Sequence, residues 1–203
     1  MTTAPRRGRG RPAGDGNSRD AVLDAARLAF AEHGFDGASV RRIATEAGVD
    51  PGMLRHWFGD KLGLFRAALA ENALPQALLS AALSGPQESL GERLVGRLVA
   101  ELDASGVAHP MVGLIRSAVS HDESTALLRE FVSEHVLGRV AGAVAAPDPA
   151  LRASLVGSQL IGLVMARYVV RVEPLASADA QTVVHAVAPT VQRYLDGDIG
   201  AVR

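Results

Sequence analysis

The feature that most constrains how this chain can fold is the stretch from Ser39 to Lys61, where two short helical patterns meet at a glycine. Apolar residues at i, i+3, i+4 and i+7, counted from Val40, predict one buried stripe on a short first helix. Gly48 follows the last of them, where a left-handed backbone conformation ends a helix at little cost. Asp50 and Pro51 are favoured as the N-cap and first residue of a second helix. The stretch therefore predicts a helix-turn-helix.

The second helix of this motif, predicted over 51–57, is too short to be stable alone. It must be held by packing of its apolar side, through Leu54 and Phe58. The opposite face is left free and carries Gly52, Met53, Arg55 and His56. A short helix held in this way can enter the major groove of DNA and contact the edges of the bases.

This stretch resembles the DNA-binding helices of the TetR-like bacterial transcriptional regulators, which commonly read T-x-x-x-I-A-x-x-A-G-V-S-x-G-x-L-Y-x-H-F-x-x-K. The chain matches that pattern at Ile43, Ala44, Ala47, Gly48, Val49, Gly52, Leu54, Phe58 and Lys61. Where Thr, Ser, Tyr and His are usual, it has Ser39, Asp50, Arg55 and Trp57. A branch of the family reads V-D-P-x-L-V-H-H-Y-F-G-x-K, and it is similar to this chain at Asp50, Pro51, His56, Phe58 and Gly59, with an aromatic residue at Trp57.

The resemblance implies which residues contact DNA. Residues expected to face the major groove are Pro51, Gly52, Met53 and His56, and those expected to hold the phosphate backbone are Ser39, Val40, Arg55 and Lys61. Arg41 would reach a base edge, and its guanidinium can bond O6 and N7 of guanine together. Arg42 fits a solvated helix residue as well as a phosphate contact. Trp57 is expected to pack beneath the second helix.

Helical spacing of apolar residues recurs along the rest of the chain, without strand alternation, and predicts an all-α fold of about nine helices. The first helix is predicted from Ser18 to His33, with Gly34 ending it and the next aromatic residue folding back onto the same small core. Pro75 is expected to interrupt or kink the fourth helix. The predicted organisation is a disordered basic arm at 1–17, a three-helix helix-turn-helix domain at 18–60, a connecting helix at 61–84 and a larger helical domain at 85–203.

The two closing helices, predicted over 149–172 and 178–195, carry more apolar surface than one buried stripe needs. This surplus favours a four-helix interface with the same two helices of a second chain, and the resemblance implies the same use of them. The alternative is that both helices close the core of their own chain.

Control by a small apolar effector is the second half of the hypothesis, with helices five to eight enclosing its pocket and the fourth helix linking that pocket to the DNA. The candidate pocket residues are Met111, Ile115, Arg116, Val119, Phe131, His135, Gln159 and Met165. Each apolar candidate also fits ordinary core. Arg116 and Gln159 are polar residues within apolar stretches, where they would either orient a ligand or make an intramolecular hydrogen bond.

Composition argues against several other kinds of protein. The chain of 203 residues has no cysteine, which excludes disulfide scaffolds and cysteine nucleophiles and fits the cytoplasm. Its six histidines lie singly, so a helical metal site is not predicted. No cofactor and no catalytic residue are predicted either. The longest apolar run, Leu160 to Ala166, ends at Arg167, and we expect neither a signal peptide nor a membrane span.

Positive charge is concentrated near the start of the chain, although the net charge is −1. Arg9 and Arg11 flank a glycine in a sequence that resembles an AT-hook, whose Arg-Gly-Arg core lies in a narrow minor groove. The alternative is a solvated basic tail that attracts phosphate without reading sequence.

Together these patterns predict a homodimeric, ligand-responsive regulator of the TetR type, expected to be a repressor released from a palindromic double-stranded DNA operator. Two alternatives stay open. One is an architectural DNA-binding protein without an effector, which would lack a cavity in the larger domain. The other is an all-α enzyme or carrier with an incidental basic tail, which would not bind specific DNA at any salt concentration.

Overall fold

The computed structural model describes residues 15–71, 74–105, 109–118 and 122–200. Within these ranges the regular secondary structure is helical and no strand occurs, so the predicted all-α fold is confirmed there. Arg9, Arg11 and Val119 lie outside the described residues, and so does the side chain of His135.

Eleven α-helices lie in the described ranges. They are α1 (Asp15–Gly37), α2 (Val40–Glu46), α3 (Pro51–Phe58), α4 (Lys61–Glu71), α5 (Leu74–Leu83), α6 (Leu90–Ser105), α7 (Pro110–Ala118), α8 (Asp122–Val132), α9 (Gly138–Ala143), α10 (Pro149–Val164) and α11 (Ala180–Asp196). The number exceeds the predicted nine for two reasons. The segment 61–84 holds two helices, and a π-helical segment, Ser133–Leu137, separates α8 from α9 within one continuous helical path.

Side-chain caps explain where the helices of the helix-turn-helix begin. The Ser39 hydroxyl accepts a hydrogen bond from the backbone nitrogen of Arg42 at 3.4 Å, at the start of α2. The Asp50 carboxylate accepts one from the nitrogen of Gly52 at 2.7 Å, at the start of α3. Between them Gly48 has a φ of 68°, which favours glycine. The predicted caps and turn are confirmed.

The first helix begins earlier than predicted. It starts at Asp15, so 15–17 are helical, whereas we expected 1–17 to be a disordered arm and the helix to start at Ser18. Its first residues are polar, and the apolar spacing that marks a helix appears only further along. Gly34, with φ 73° and ψ 178°, interrupts the helical backbone as predicted. Phe35 then folds back and lies 6.0 Å from Phe30 and 5.3 Å from Phe65, measured between ring centroids.

Buried side chains form three clusters, and α7 contributes to two of them. The first joins α1 to α4 with α7 and α8, and it contains Phe30, Leu54 and Leu114. The second joins α5, α6, α9, α10 and α11. The third is smaller and joins α6, α7 and α10, with Ile115 among its members. Because α7 lies between the helix-turn-helix core and the larger domain, its position determines how the two are held together.

The last helix uses its apolar face within its own chain. Val191 and Leu195 are fully buried in the second cluster, and Val184 packs against it. The approach of α11 to α6 is close, since a Cβ added at Gly91 would lie 2.7 Å from the backbone nitrogen of Gln192. The face of α11 that carries Val191 and Leu195 is thus used in the core of this chain.

Helix α10 continues through a π-helical segment, and Pro149–Val169 is long and apolar enough to cross a membrane, with a mean hydropathy of 1.3 in its most apolar window. The longest apolar run of the sequence ends at Arg167, but the helical path continues past it to Val169. That guanidinium donates to the carbonyl oxygens of Leu175 at 2.6 Å and Ala178 at 2.8 Å. A single such helix is weak evidence for a membrane, since core helices of soluble proteins meet the same criterion.

Candidate nucleic-acid interface and internal cavity

The candidate DNA-contacting residues form what we call the recognition surface. Its described members are Ser39, Val40, Arg41, Pro51, Gly52, Met53, Arg55, His56 and Lys61. Helix α3 is anchored by Leu54, which is 2% exposed, and by Trp57 and Phe58, which pack partly buried against the first cluster. The placement of Trp57 beneath α3 is as expected. Anchoring on one side leaves the other side of α3 open to solvent.

Three cationic or donor side chains of the recognition surface are exposed. Arg41, Arg55 and His56 form no side-chain hydrogen bond or ion pair with the described part of the chain. Arg42 differs, because its Nε lies 2.8 Å from a carboxylate oxygen of Glu46, one helical turn further along α2. Part of the positive charge of Arg42 is therefore compensated within α2, whereas that of Arg41 is available for a ligand.

Lys61 and Val40 are partly buried members of the recognition surface. The Nζ of Lys61 donates to the carbonyl oxygen of Asp36 at 3.0 Å and lies 5.0 Å from the ring centroid of Phe35. Val40 is half-buried and packs against the first cluster. Lys61 thus has a structural role at the end of α1 beside any role in contacting phosphate, which the sequence pattern did not indicate.

A cavity of about 150 Å³ lies in the larger domain, between α5, α6, α7, α8, the following π-helical segment and α10. Its walls are apolar, and Leu102, Ile115 and Phe131 are among the residues that line it. Arg97, Glu101 and His109 are the charged or titratable lining residues within the described part. A cavity with this volume and these apolar walls can hold a small apolar molecule.

His109 is the buried polar residue of the cavity wall, with 6% of its surface exposed. Its Nδ1 accepts a hydrogen bond from the backbone nitrogen of Met111 at 3.1 Å, which caps the start of α7. Its Nε2 is buried and has no hydrogen-bond partner among the described residues. Burial lowers the pKa of His109, and the nearby Glu101 carboxylate opposes this effect. The ring is therefore held neutral.

Helix α7 also holds the helix-turn-helix domain. The Ser117 hydroxyl accepts a hydrogen bond from the nitrogen of Phe35 at 3.1 Å. A Cβ added at Gly113 would lie 2.1 Å from the carbonyl oxygen of Phe30, so α1 and α7 pack backbone to backbone. Arg116 donates to the carbonyl oxygens of Ala31 at 2.8 Å and Glu32 at 2.9 Å. These contacts satisfy backbone groups near the interruption of α1, so they fix its end on α7.

Two side-chain pairs from α8 extend this contact. The Ser124 hydroxyl bonds a carboxylate oxygen of Asp36, and Arg66 of α4 is paired with Glu130. The backbone carbonyl oxygen of Asp36 also accepts a hydrogen bond from Lys61, the first residue of α4. Helices α7 and α8 therefore contact the end of α1, which in turn holds the start of α4.

Comparison with known families agrees with this architecture. The family model described as bacterial regulatory proteins, tetR family, matches residues 22–68, and the model described as tetracyclin repressor-like, C-terminal domain, matches residues 88–195. This chain belongs to the TetR family. Among solved structures, a TetR-family regulator from Streptomyces coelicolor is 35% identical to it with a TM-score of 0.66, over 92% of this chain and 99% of that one. A TetR-family structure from a Rhodococcus species has a TM-score of 0.69 at 22% identity, over 89% of this chain and all of that one, and supports the fold.

Curated relatives resemble this TetR-family chain over part of their length. The HTH-type transcriptional repressor AcnR of Corynebacterium glutamicum is 48% identical over 61 residues, which are 30% of this chain and 32% of AcnR. The HTH-type transcriptional regulator BetI of Escherichia coli is 32% identical over 93 residues, 45% of this chain and 48% of BetI. The chain thus spans about a third to about half of the length of these relatives.

Some of the predicted pocket residues line the cavity of this TetR-family fold, and others do not. Met111, Ile115 and Phe131 line the cavity. Arg116 does not line it, because its guanidinium bonds the end of α1, which is the intramolecular hydrogen bond that the sequence left open as the alternative. Gln159 lies on α10 and Met165 lies on its π-helical extension, and neither lines the cavity. The residues of α10 next to them, Leu160, Ile161 and Val164, line it instead. Sequence reasoning missed His109, although its place before Pro110 marks a helix start, where a polar side chain caps the backbone.

Proposed function

We propose that this chain is a homodimeric transcriptional repressor that binds a palindromic operator in double-stranded DNA and is released by a small, mainly apolar effector. The observation that carries the proposal is the exposed face of α3, with Arg41 beside it on α2, on a helix-turn-helix whose other side is anchored in a core. Family membership supports the same function. We place the protein in the cytoplasm, where its DNA target lies.

The division of labour that we propose follows the two packed halves of the chain. Residues 18–60 would bind DNA, 61–84 would connect, and 85–203 would bind the effector and the second subunit. In this scheme Ser39, Val40, Arg55 and Lys61 contact phosphate, and Pro51, Gly52, Met53 and His56 face the major groove. Arg9 and Arg11 would add contacts to phosphate or the minor groove.

Dimerisation through α10 and α11 is supported by the outward side of α10. Leu151 is 42% exposed there, and Ser154, Ser158 and Gly162 are exposed at helical spacing along the same helix. Small residues allow two helices to approach closely, and exposed leucine gives apolar area to bury. A twofold axis would then present two copies of α3 about 34–36 Å apart, matching successive major grooves.

Two observations support effector control. One is the cavity, and the other is that helix α7 both lines this cavity and contacts the DNA-binding domain. Helix α7 lines the cavity with Met111 and Ile115 and packs against α1 through Gly113. A ligand that favours one position of α7 would therefore change the position of α3 relative to the second subunit. A coupling of about 1–3 kcal/mol would change operator affinity roughly 5- to 150-fold. The cavity favours this function over an architectural protein without an effector.

The test begins with selection of bound fragments from random DNA, followed by titration of wild type and Arg41→Ala on the selected operator and on random DNA. We expect the substitution to cost about 1–3 kcal/mol on the operator and much less on random DNA, because a base contact contributes only at the right base. Arg129→Ala, which removes an exposed arginine from α8, is the charge-matched control and should leave both affinities unchanged. Equal losses for Arg41→Ala on both DNAs would contradict base reading, and no operator emerging from the selection would contradict the function.

A further inference from the structure

We propose that the cavity takes a small neutral molecule with one hydrogen-bond acceptor, such as a ketone, an ester or an ether, and that His109 Nε2 donates to that acceptor. The inference rests on the proposed function and specifies the chemical class of the effector. The ligand would place its apolar part among the cavity walls and its acceptor at the imidazole.

The donor is identified by the hydrogen bonding of the ring. Because the nitrogen of Met111 donates to Nδ1 at 3.1 Å, Nδ1 carries a lone pair, and the proton of the neutral ring is on Nε2. Burial keeps the ring neutral by lowering its pKa. Nε2–H is thus a fixed donor, and it is buried without a partner among the described residues. Leaving such a group unpaired has a free-energy cost that a ligand acceptor removes.

The size and lining of the cavity limit the rest of the ligand. A volume of about 150 Å³ suits a molecule the size of a benzene ring with a short substituent. The walls around His109 are hydrocarbon, including Leu102, Ile115 and Val164. They offer little to a ligand with several polar groups, each of which would lose its hydration without a protein partner.

The charged groups near the cavity favour a neutral acceptor over an anion. Glu101 lines the cavity and its negative charge acts on the His109 ring, so it would repel a carboxylate bound at Nε2. Arg97 also lines the cavity, but it is exposed, so its charge is screened by water. A neutral imidazole supplies one hydrogen bond, which does not compensate the desolvation of a carboxylate.

Isothermal titration calorimetry with three probes of one shape tests this assignment on the free protein. Acetophenone has the ring and a carbonyl acceptor, α-methylstyrene replaces the carbonyl oxygen with a methylene group, and benzoate carries an anionic acceptor. We expect wild type to bind acetophenone at least about tenfold more tightly than α-methylstyrene, because only the ketone satisfies Nε2–H. Benzoate should bind more weakly than acetophenone.

Two substitutions separate the donor from the helix cap. His109→Asn retains an acceptor near the position of Nδ1 for the cap on Met111 and removes the donor at Nε2. It should bind acetophenone no more tightly than α-methylstyrene, with its affinity for the hydrocarbon unchanged. His109→Gln restores a donor at the reach of Nε2 and should recover part of the preference for the ketone. Thermal melts of both variants verify that the fold is retained.

The assignment is overturned if wild type binds the ketone and the hydrocarbon equally, binds benzoate most tightly, or binds none of the probes. It is also overturned if His109→Asn keeps the preference. Operator titrations on the same preparations report the proposed function separately. A protein that binds its operator without discriminating the probes refutes the ligand class alone, whereas one that discriminates the probes but binds no selected DNA refutes the function and leaves the ligand site standing.

Discussion

Replacing Gly113 with alanine tests whether α7 holds the helix-turn-helix domain by direct backbone packing. The added Cβ would lie 2.1 Å from the carbonyl oxygen of Phe30 and 3.1 Å from the Cα of Ala31. Neither atom belongs to a side chain that can rotate away. Helices α1 and α7 must therefore move apart, and a shift of about 1 Å loses up to about half of the dispersion energy of the contacts affected.

The expected cost follows from this displacement. Overpacking of a rigid contact costs about 1–3 kcal/mol, against which alanine gains up to about 1 kcal/mol of helix propensity over glycine. Gly142→Ala in α9 provides the matched control, because a Cβ there meets no atom of the described residues within 4 Å. The control gains the same propensity without the clash. The difference between the two variants, about 1–3 kcal/mol, measures the α1–α7 contact.

Thermal unfolding followed by far-ultraviolet circular dichroism gives the measurement. For a chain of this length, 1 kcal/mol corresponds to about 2–4 °C in Tm, so Gly113→Ala should melt about 2–12 °C below Gly142→Ala. Operator affinity should fall as well, since the displaced helix α1 belongs to the same buried cluster that anchors α3. Equal melting temperatures for the two variants would refute the reasoning, because the packing would then tolerate a methyl group at the closest approach of the two helices.

Two further predictions concern the DNA face and the cavity. Lys61→Ala removes a positive charge, so we expect weaker binding to every DNA sequence and a salt slope lower by about 1. The same ammonium bonds the carbonyl oxygen of Asp36, so Tm should fall as well. An unchanged slope in DNA titrations at several salt concentrations would exclude the phosphate contact. Burial lowers the pKa of His109 from 6.5, so the unfolded chain binds a proton at this ring more readily than the folded chain does. The contribution of His109 to stability is therefore present above pH 6.5 and is lost as the pH falls through the folded pKa. In thermal melts across this pH range, Tm should fall less for His109→Asn than for wild type. Equal decreases in Tm would contradict protonation of His109 as the cause.

The helix-turn-helix was predictable because its signals are local. The caps at Ser39 and Asp50 and the positive φ of Gly48 depend on residues within a few positions of each other, and each is found as predicted. The same holds for the interruption at Gly34 and the return of Phe35. Periodicity finds the apolar face of a helix reliably, but it does not show which partner covers that face. The surplus on α11 therefore fitted a second subunit and α6 equally well.

The cavity residues were less predictable because their roles depend on contacts between distant segments. Arg116 is polar in an apolar stretch, which fits a ligand contact, yet its partners are carbonyl oxygens of Ala31 and Glu32, far away in sequence. Nothing near Arg116 in the chain indicates them. His109 was missed for the same reason. Its place as a helix cap is local, but the lack of a partner for Nε2 among the described residues depends on how α6, α7 and α10 pack.

Helix α7 connects the two sites through its geometry alone. Met111 and Ile115 are one turn apart and line the cavity, and Gly113 and Ser117 are one turn apart and contact α1. The two pairs are offset by two residues, about 200° around a helix, so they lie on opposite sides. Because Gly113 leaves no space against α1, a displacement of α7 toward α1 by a ligand cannot be absorbed there and must move the end of α1. A ligand at His109 would therefore act on α3 through the backbone contact between α7 and α1 at Gly113, which is already made in the free protein.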